Sequence, residues 1–215
     1  MSLSVQPHDL LRIDVTQARK VLIPDHVDCW NAIEHCLRRA SWLVVRRTLY
    51  QRGLIPVGIR GVERSQRFAA WLDPQGILEI LPPEALRTSK GTCDRPALMA
   101  LQELEQRWSR LLHSWGPTGS VGFELASGVA AVTATSDLDV VLRAKDRLSE
   151  RALRGLAEDC SELSCVTDVQ IETPHGAVAL EESLSARSKL LLRTRSGPVL
   201  VCDPWKPPAL RKMPA

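Results

Sequence analysis

Two acidic residues, Asp137 and Asp139, flank Leu138 at the head of an apolar run, Val140-Val141-Leu142. Residues 136–142 read as a strand. Side chains alternate across a strand, so the two carboxylates share one face and Leu138, Val140 and Leu142 the other. Carboxylates held this close repel, and burial worsens the conflict. A divalent cation resolves it, and Mg²⁺ takes a few carboxylates together with the phosphate oxygens of a substrate. Two such ions about 3.5–4 Å apart hold the attacking and leaving oxygens of a phosphoryl displacement. Alone the pair says little, because short acidic pairs arise by chance at strand ends and turns.

Upstream, Gly119-Ser120 follows the break at Gly116-Pro117. A Gly-Ser turn before a short helix presents backbone N–H groups to an anion, and Ser120 Oγ adds a further hydrogen bond. By itself it is an ordinary turn. The ordered set is more specific: Gly-Ser turn, short helix, acidic strand, which is a phosphate grip set against a metal-binding pair.

The elements that must position these groups follow from periodicity. Val27, Trp30, Ile33 and Leu37 recur at helical spacing, predicting a helix over about 27–40. Residues 41–45 and 53–61 read as short strands. Asp73-Pro-Gln-Gly76 is a turn by composition. A second helix is expected from Asp94, with Pro96 in its first turn and an apolar stripe of Leu98, Leu101, Leu104, Trp108, Leu111 and Leu112. A third spans about 145–160, and residues 166–173 alternate. Lys189–Thr194 and Pro198–Cys202 flank Ser196-Gly197 as a β-hairpin. The fold class expected is α/β (α+β) in two domains. An N-terminal α/β domain covers 1–90, and 91–215 carries a mixed sheet flanked by helices.

Composition narrows the classes. In 215 residues there are 28 Lys and Arg against 25 Asp and Glu, a net charge of +3, too small to demand a nucleic-acid partner. The start has neither a basic leader nor an apolar core, and no apolar run suits a membrane span, so a soluble cytoplasmic protein is expected. None of the six cysteines forms a C-x-x-C pair or falls at zinc spacing with a histidine, so small buried thiols are expected. There is no G-x-x-x-x-G-K-[ST] loop, and Thr118 stands where a G-x-S-x-G hydrolase elbow needs its first glycine.

Gly119-Ser120 followed by Asp137-Leu138-Asp139 resembles the DNA polymerase β-type nucleotidyltransferase superfamily. The gap from Ser120 to Asp137 is longer than usual there, suggesting an inserted loop around Ser127-Gly128. The superfamily pattern implies a third carboxylate on a later strand that helps deprotonate the attacking hydroxyl. Asp168 is the first choice and Glu172 the alternative, both in Thr167-Asp-Val-Gln-Ile-Glu172. Wider segments, above all Trp115–Gly128 and Ser136–Arg143, with Ile55–Gly61, Glu172–Ala177 and Asp203-Pro-Trp205, resemble the malonate decarboxylase holo-acyl carrier protein synthases, or phosphoribosyl-dephospho-CoA transferases.

That resemblance implies transfer of 2′-(5″-phosphoribosyl)-3′-dephospho-CoA from its triphosphate to a serine of the apo carrier subunit of malonate decarboxylase, with loss of pyrophosphate. Asp137 and Asp139, with Asp168, would hold Mg²⁺, and Gly119 and Ser120 the terminal phosphates. Lys189 and Arg193, on one face of the predicted hairpin strand, would meet phosphates or else merely guard a sheet edge. Arg60, Arg64 and Arg67 would engage the CoA moiety or an acidic carrier surface; Arg64 and Arg67 are equally readable as surface charges on a helix. Trp115 or Trp205 would stack on adenine or pack in the core. The competing readings are another Mg²⁺-dependent nucleotidyltransferase and a non-catalytic nucleotide-binding module.

Overall fold

The computed structural model describes residues 5–63, 66–87, 94–185 and 188–208. Arg64, Cys93 and the expected boundary near residue 90 lie outside them.

The first sheet comprises β1 (Leu10–Ile13), β2 (Leu22–Pro24), β3 (Trp42–Val45), β4 (Ile55–Arg60), β5 (Arg67–Leu72) and β6 (Ile77–Leu81), in the order β2-β5-β4-β3-β1-β6. Its neighbouring strands pair antiparallel. A one-turn helix α1 (Ala18–Val21) leads into β2, and α2 (Trp30–Arg39) follows it. Alternation gives the sheet one apolar face. Leu11, Ile13, Leu43, Val45, Val57, Ile59 and Leu72 bury against Ile33 and Leu37 of α2. The opposite face carries Val44, Gly58, Arg60 and Arg67. The alternative that set Arg67 on a helix is corrected: this residue sits in β5, its Cα opposite that of Arg60.

The second sheet comprises β7 (Ser114–Pro117), β8 (Leu138–Arg143), β9 (Thr167–Thr173), β10 (Gly176–Ala179), β11 (Leu190–Thr194) and β12 (Gly197–Val201), in sequential order across the sheet. Helices α3 (Pro96–Arg107), α4 (Gly119–Ser127), α5 (Glu150–Ser161) and α6 (Leu180–Leu184) complete it. The β8–β9 pair is parallel and its other neighbours are antiparallel, so the sheet is mixed. Parallel neighbours need a crossover, and α5 supplies it. The helix starts at Glu150, later than expected, because Ser149 caps it by accepting from the Ala152 amide at 3.2 Å.

Leu138, Val140 and Leu142 of β8 bury with Val169 and Ile171 of β9 beneath Leu98, Leu101 and Leu104 of α3 and Leu153 and Leu156 of α5. Leu112, expected on the apolar stripe, lies beyond the end of α3 and is exposed. Ser114–Pro117, which reads as a break in the sequence, is the edge strand β7. A separate cluster of Leu10, Trp42, Leu86 and Phe123 joins the two sheets.

Candidate active site

β7 sets the position of the Gly-Ser turn. Its antiparallel pairing aligns Pro117 with Val140, and the next amide, Thr118 N–H, donates to Asp139 O at 2.8 Å. The chain then turns into α4 through Gly119, which has φ +57°. A β-carbon there would be strained and would overlap Asp139 Oδ2, so glycine is what lets the turn lie against that carboxylate. Thr118, the N-cap, makes no side-chain capping bond, and Gly122 N–H to Thr118 O at 2.8 Å closes the first turn. The amides of Gly119, Ser120 and Val121 thus have no acceptor within the helix. The end of α4 that concentrates positive partial charge begins beside Asp139.

Asp139 and Asp168 are register partners on the parallel strands β8 and β9. Paired residues on adjacent strands project to one side, with strands about 4.8 Å apart. The two carboxylates therefore stand side by side. Asp139 is half-buried and Asp168 exposed. Asp137 is one residue ahead of β8, which begins at Leu138 rather than 136, and it is half-buried. Among the described residues no three acidic, histidine or cysteine side chains converge as a preformed metal cage. The arrangement is an adjacent pair, Asp139 and Asp168, with Asp137 at the strand's entrance. Hard carboxylate oxygens of this kind suit Mg²⁺, which leaves most of its positions to water and substrate phosphates.

Glu172 does not join this set. It lies four residues beyond Asp168, about 13 Å along the strand, in register with Arg143. Its carboxylate accepts from Arg47 Nη1 at 2.9 Å and from Arg47 Nη2, with His8 Nε2 at 3.7 Å. The alternative third carboxylate is thus an ion-pair partner of the N-terminal half.

The two basic candidates separate. Arg193 in β11 is the register partner of Ala177, which in turn faces Glu172. This row puts Arg193 on the same sheet face as Asp168 and Gln170, with the small Ala177 and Ala179 of β10 between the two strands. Arg193 lines a cleft of about 500 Å³ with Asp139, Asp168 and Gln170, and its Nη1 is buried without a hydrogen-bond partner. A buried guanidinium N–H without an acceptor is costly, and a phosphate oxygen would satisfy it. Lys189 precedes β11 and is exposed, and it is not among the residues lining this cleft. A second cleft of about 590 Å³ shares Asp139 and Gln170, adds Thr118 and Gly119, and is walled on its far side by Val44, Arg46, Gly58, Arg60 and Arg67 of the first sheet.

Two structural clamps escape sequence reading. Arg143 donates to Asp9 Oδ1 at 3.0 Å, Glu84 Oε1 at 3.0 Å and Gln6 Oε1 at 2.6 Å, tying β8 to the N-terminal half. Together with Arg47–Glu172 it fixes the two sheets around the cleft. Their sequence separations, 134 residues between Asp9 and Arg143 and 125 between Arg47 and Glu172, leave no local signal. The long Ser120–Asp137 connection is held by Glu124, which accepts from the Ala131 and Val132 amides at 2.7 and 2.8 Å and pairs with Arg95. Burial alone would raise the Glu124 carboxyl, but these donors outweigh it and hold it below its ordinary value.

Both tryptophan candidates pack against protein, whereas of the described cysteines Cys36 is buried, Cys29, Cys160 and Cys165 are half-buried and Cys202, expected buried, is exposed. Trp115 is buried edge-to-face on Trp108, with ring centroids 5.0 Å apart, and Trp205 Nε1 donates to Ala144 O at 3.0 Å, so both are structural. Burial pushes the Cys160 thiol up to about 12 and raises Cys165 as well, which keeps both protonated and inert beside the cleft.

Comparison with known proteins places the chain in a family. Residues 6–83 match the model of the phosphoribosyl-dephospho-CoA transferase MdcG N-terminal domain, and residues 85–204 that of its C-terminal domain. Among curated relatives, the phosphoribosyl-dephospho-CoA transferase of Pseudomonas fluorescens (strain Pf-5) is 40% identical over 202 residues, covering 94% of each chain. The enzymes of that name from Azotobacter vinelandii and Pseudomonas aeruginosa are 38% and 36% identical, again covering 94% of each chain. No solved structure matches the chain. Both halves together therefore make this chain a member of the phosphoribosyl-dephospho-CoA transferase family.

Proposed function

We propose that the chain transfers the 2′-(5″-phosphoribosyl)-3′-dephospho-CoA group from its triphosphate donor to a serine hydroxyl on the apo acyl carrier subunit of malonate decarboxylase, in the cytoplasm. The serine oxygen forms a bond to the α-phosphorus as the bond to pyrophosphate breaks. The hydroxyl proton leaves to a carboxylate. The observation that carries this reading is the contact of Gly119 with Asp139, next to Asp168 in register.

Asp137, Asp139 and Asp168 are the residues that would hold Mg²⁺. When bound, the ion would neutralise the triphosphate and the charge that develops on the leaving pyrophosphate. The chain's own groups do the rest. The amides at Gly119 and Ser120 and the Ser120 hydroxyl bind the terminal phosphates at the start of α4. Arg193 directs its unpartnered Nη1 to a phosphate oxygen. Asp168, exposed at the cleft margin, is open to an incoming serine and accepts its proton. Catalysis of this kind rests on positioning and charge stabilisation more than on covalent chemistry.

The test is mass spectrometry of apo carrier subunit incubated with the chain, Mg²⁺ and the triphosphate donor, with ATP as a parallel donor. The expected result is a mass gain of one phosphoribosyl-dephospho-CoA on the carrier serine, none from ATP, and none with Asp139→Asn. Undiminished transfer by Asp139→Asn would remove the mechanism; adenylylation from ATP alone would reassign the donor.

A further inference from the structure

The second face of the N-terminal sheet forms a trough opposite the catalytic wall. Its floor is small: Gly58 is the register partner of Val44 on one side and Ala69 on the other. Its sides are cationic. Arg60 and Arg67 are register partners across β4 and β5, and the Arg46 stem runs past Gly58, where an added β-carbon would stand 3.7 Å from Arg46 Cγ. These residues and His8 line the same 590 Å³ cleft as Thr118, Gly119, Asp139 and Gln170. His8 is neutral there, since burial lowers its pKa to about 4. Among the described residues, the charged lining is therefore Arg46, Arg60 and Arg67 against the carboxylate Asp139.

The arginines are spread along the trough and differ in their surroundings. Arg46 meets Asp25 only at 3.7 Å, with the two side chains 41% and 37% exposed, a geometry worth little. Arg60 leans over Phe123 at 5.5 Å and reaches Ala131 O at 3.4 Å, and Arg67 donates to the Gln66 carbonyl at 2.9 Å. A wall of this charge over a floor without bulk suits an extended phosphate ester.

We infer that this trough is a second anion subsite, which binds the diphosphate linking adenosine to the pantetheine arm of the donor, while the triphosphate occupies the Gly119–Asp139 side. The inference rests on the proposed reaction. A donor of that class carries two polyphosphate groups, and the cleft offers two separate anion-binding walls. The trough sets donor affinity and discriminates against plain nucleoside triphosphates, which lack the second arm; it takes no part in the chemical step.

Titration calorimetry on the full chain with two probes separates the walls: dephospho-CoA, which has the diphosphate arm alone, and inorganic tripolyphosphate with Mg²⁺. Arg67→Ala and Arg46→Ala are each expected to weaken dephospho-CoA about tenfold and to raise the donor KM at constant kcat. Tripolyphosphate affinity should stay unchanged in both, which also reports that the variants are folded. Arg67→Lys should recover part of the loss. Dephospho-CoA binding that ignores both alanine variants, or an equal loss of both probes, would overturn the subsite. If no donor is transferred to the carrier while dephospho-CoA binding still depends on Arg46 and Arg67, the proposed reaction fails and the trough stands.

Discussion

Gly119 lies so close to Asp139 that a β-carbon on the glycine would overlap Oδ2 of the carboxylate. Glycine serves two needs here: its φ of +57° costs an ordinary residue about 1–2 kcal/mol, and its missing side chain leaves the carboxylate beside the turn. Gly119→Ala should lower kcat about 100-fold or more, while thermal unfolding shows a loss of about 1–2 kcal/mol with the fold retained. Near-normal turnover with the alanine would mean that the turn grips no phosphate.

Asp168 and Glu172 share a strand face but have different surroundings: Asp168 lines the cleft and Glu172 pairs with Arg47. Asp168→Asn should abolish transfer without lowering the melting temperature, because the residue is exposed. Glu172→Gln leaves Arg47 without its charged partner in a region where the two side chains are 14% and 11% exposed. It should destabilise the fold by roughly 3 kcal/mol and leave Mg²⁺ affinity intact. Parallel melting curves and Mg²⁺ titrations check both, and loss of Mg²⁺ affinity in Glu172→Gln would return that residue to the metal site.

Arg193 and Lys189, four residues apart, are expected to differ sharply. Arg193→Ala removes the buried Nη1 from the cleft and should raise the donor KM and lower kcat, about 10-fold or more in kcat/KM. Lys189→Ala, at an exposed position ahead of β11, should change neither by more than about twofold. Steady-state kinetics on the two variants decide it.

His8 makes stability depend on pH. Burial depresses its pKa to about 4, with Glu172 opposing and Arg47 and Arg143 adding to the shift. The unfolded chain binds a proton near pH 6.5 that the folded chain takes up only near 4, so this stability is complete above 6.5 and is lost as pH falls toward 4. The slope from this group is at most about 1.4 kcal/mol per pH unit. His8→Asn keeps a residue that tolerates the positive φ of 74° and should flatten that limb of the melting-temperature profile. An unchanged slope would assign the acid sensitivity elsewhere.

Much of the site was legible in order along the chain. Gly119-Ser120 opening a helix and Leu138-Asp139 opening a strand were both readable, because alternation and helix-end turns are local properties. Apolar periodicity likewise marked α2, α3 and the β11–β12 hairpin. The strand β7 was hidden, since Trp115-Gly116-Pro117 carries break residues and only pairing with β8 makes it extended. The choice between Asp168 and Glu172 was equally hidden: both alternate onto one face, and the difference comes from which one meets Arg47 from the other sheet.

By itself, then, the sequence determined which segments alternate, which turn needs a glycine and which carboxylates share a strand face, all consequences of neighbours within a few residues. Only the tertiary structure decided that Asp168 stands beside Asp139, that Arg193 looks into the same cleft, and that arginines from the N-terminal half line the second cleft, which shares Asp139. Those relationships rest on strand register and on ion pairs between residues more than a hundred positions apart, where no local pattern can reach.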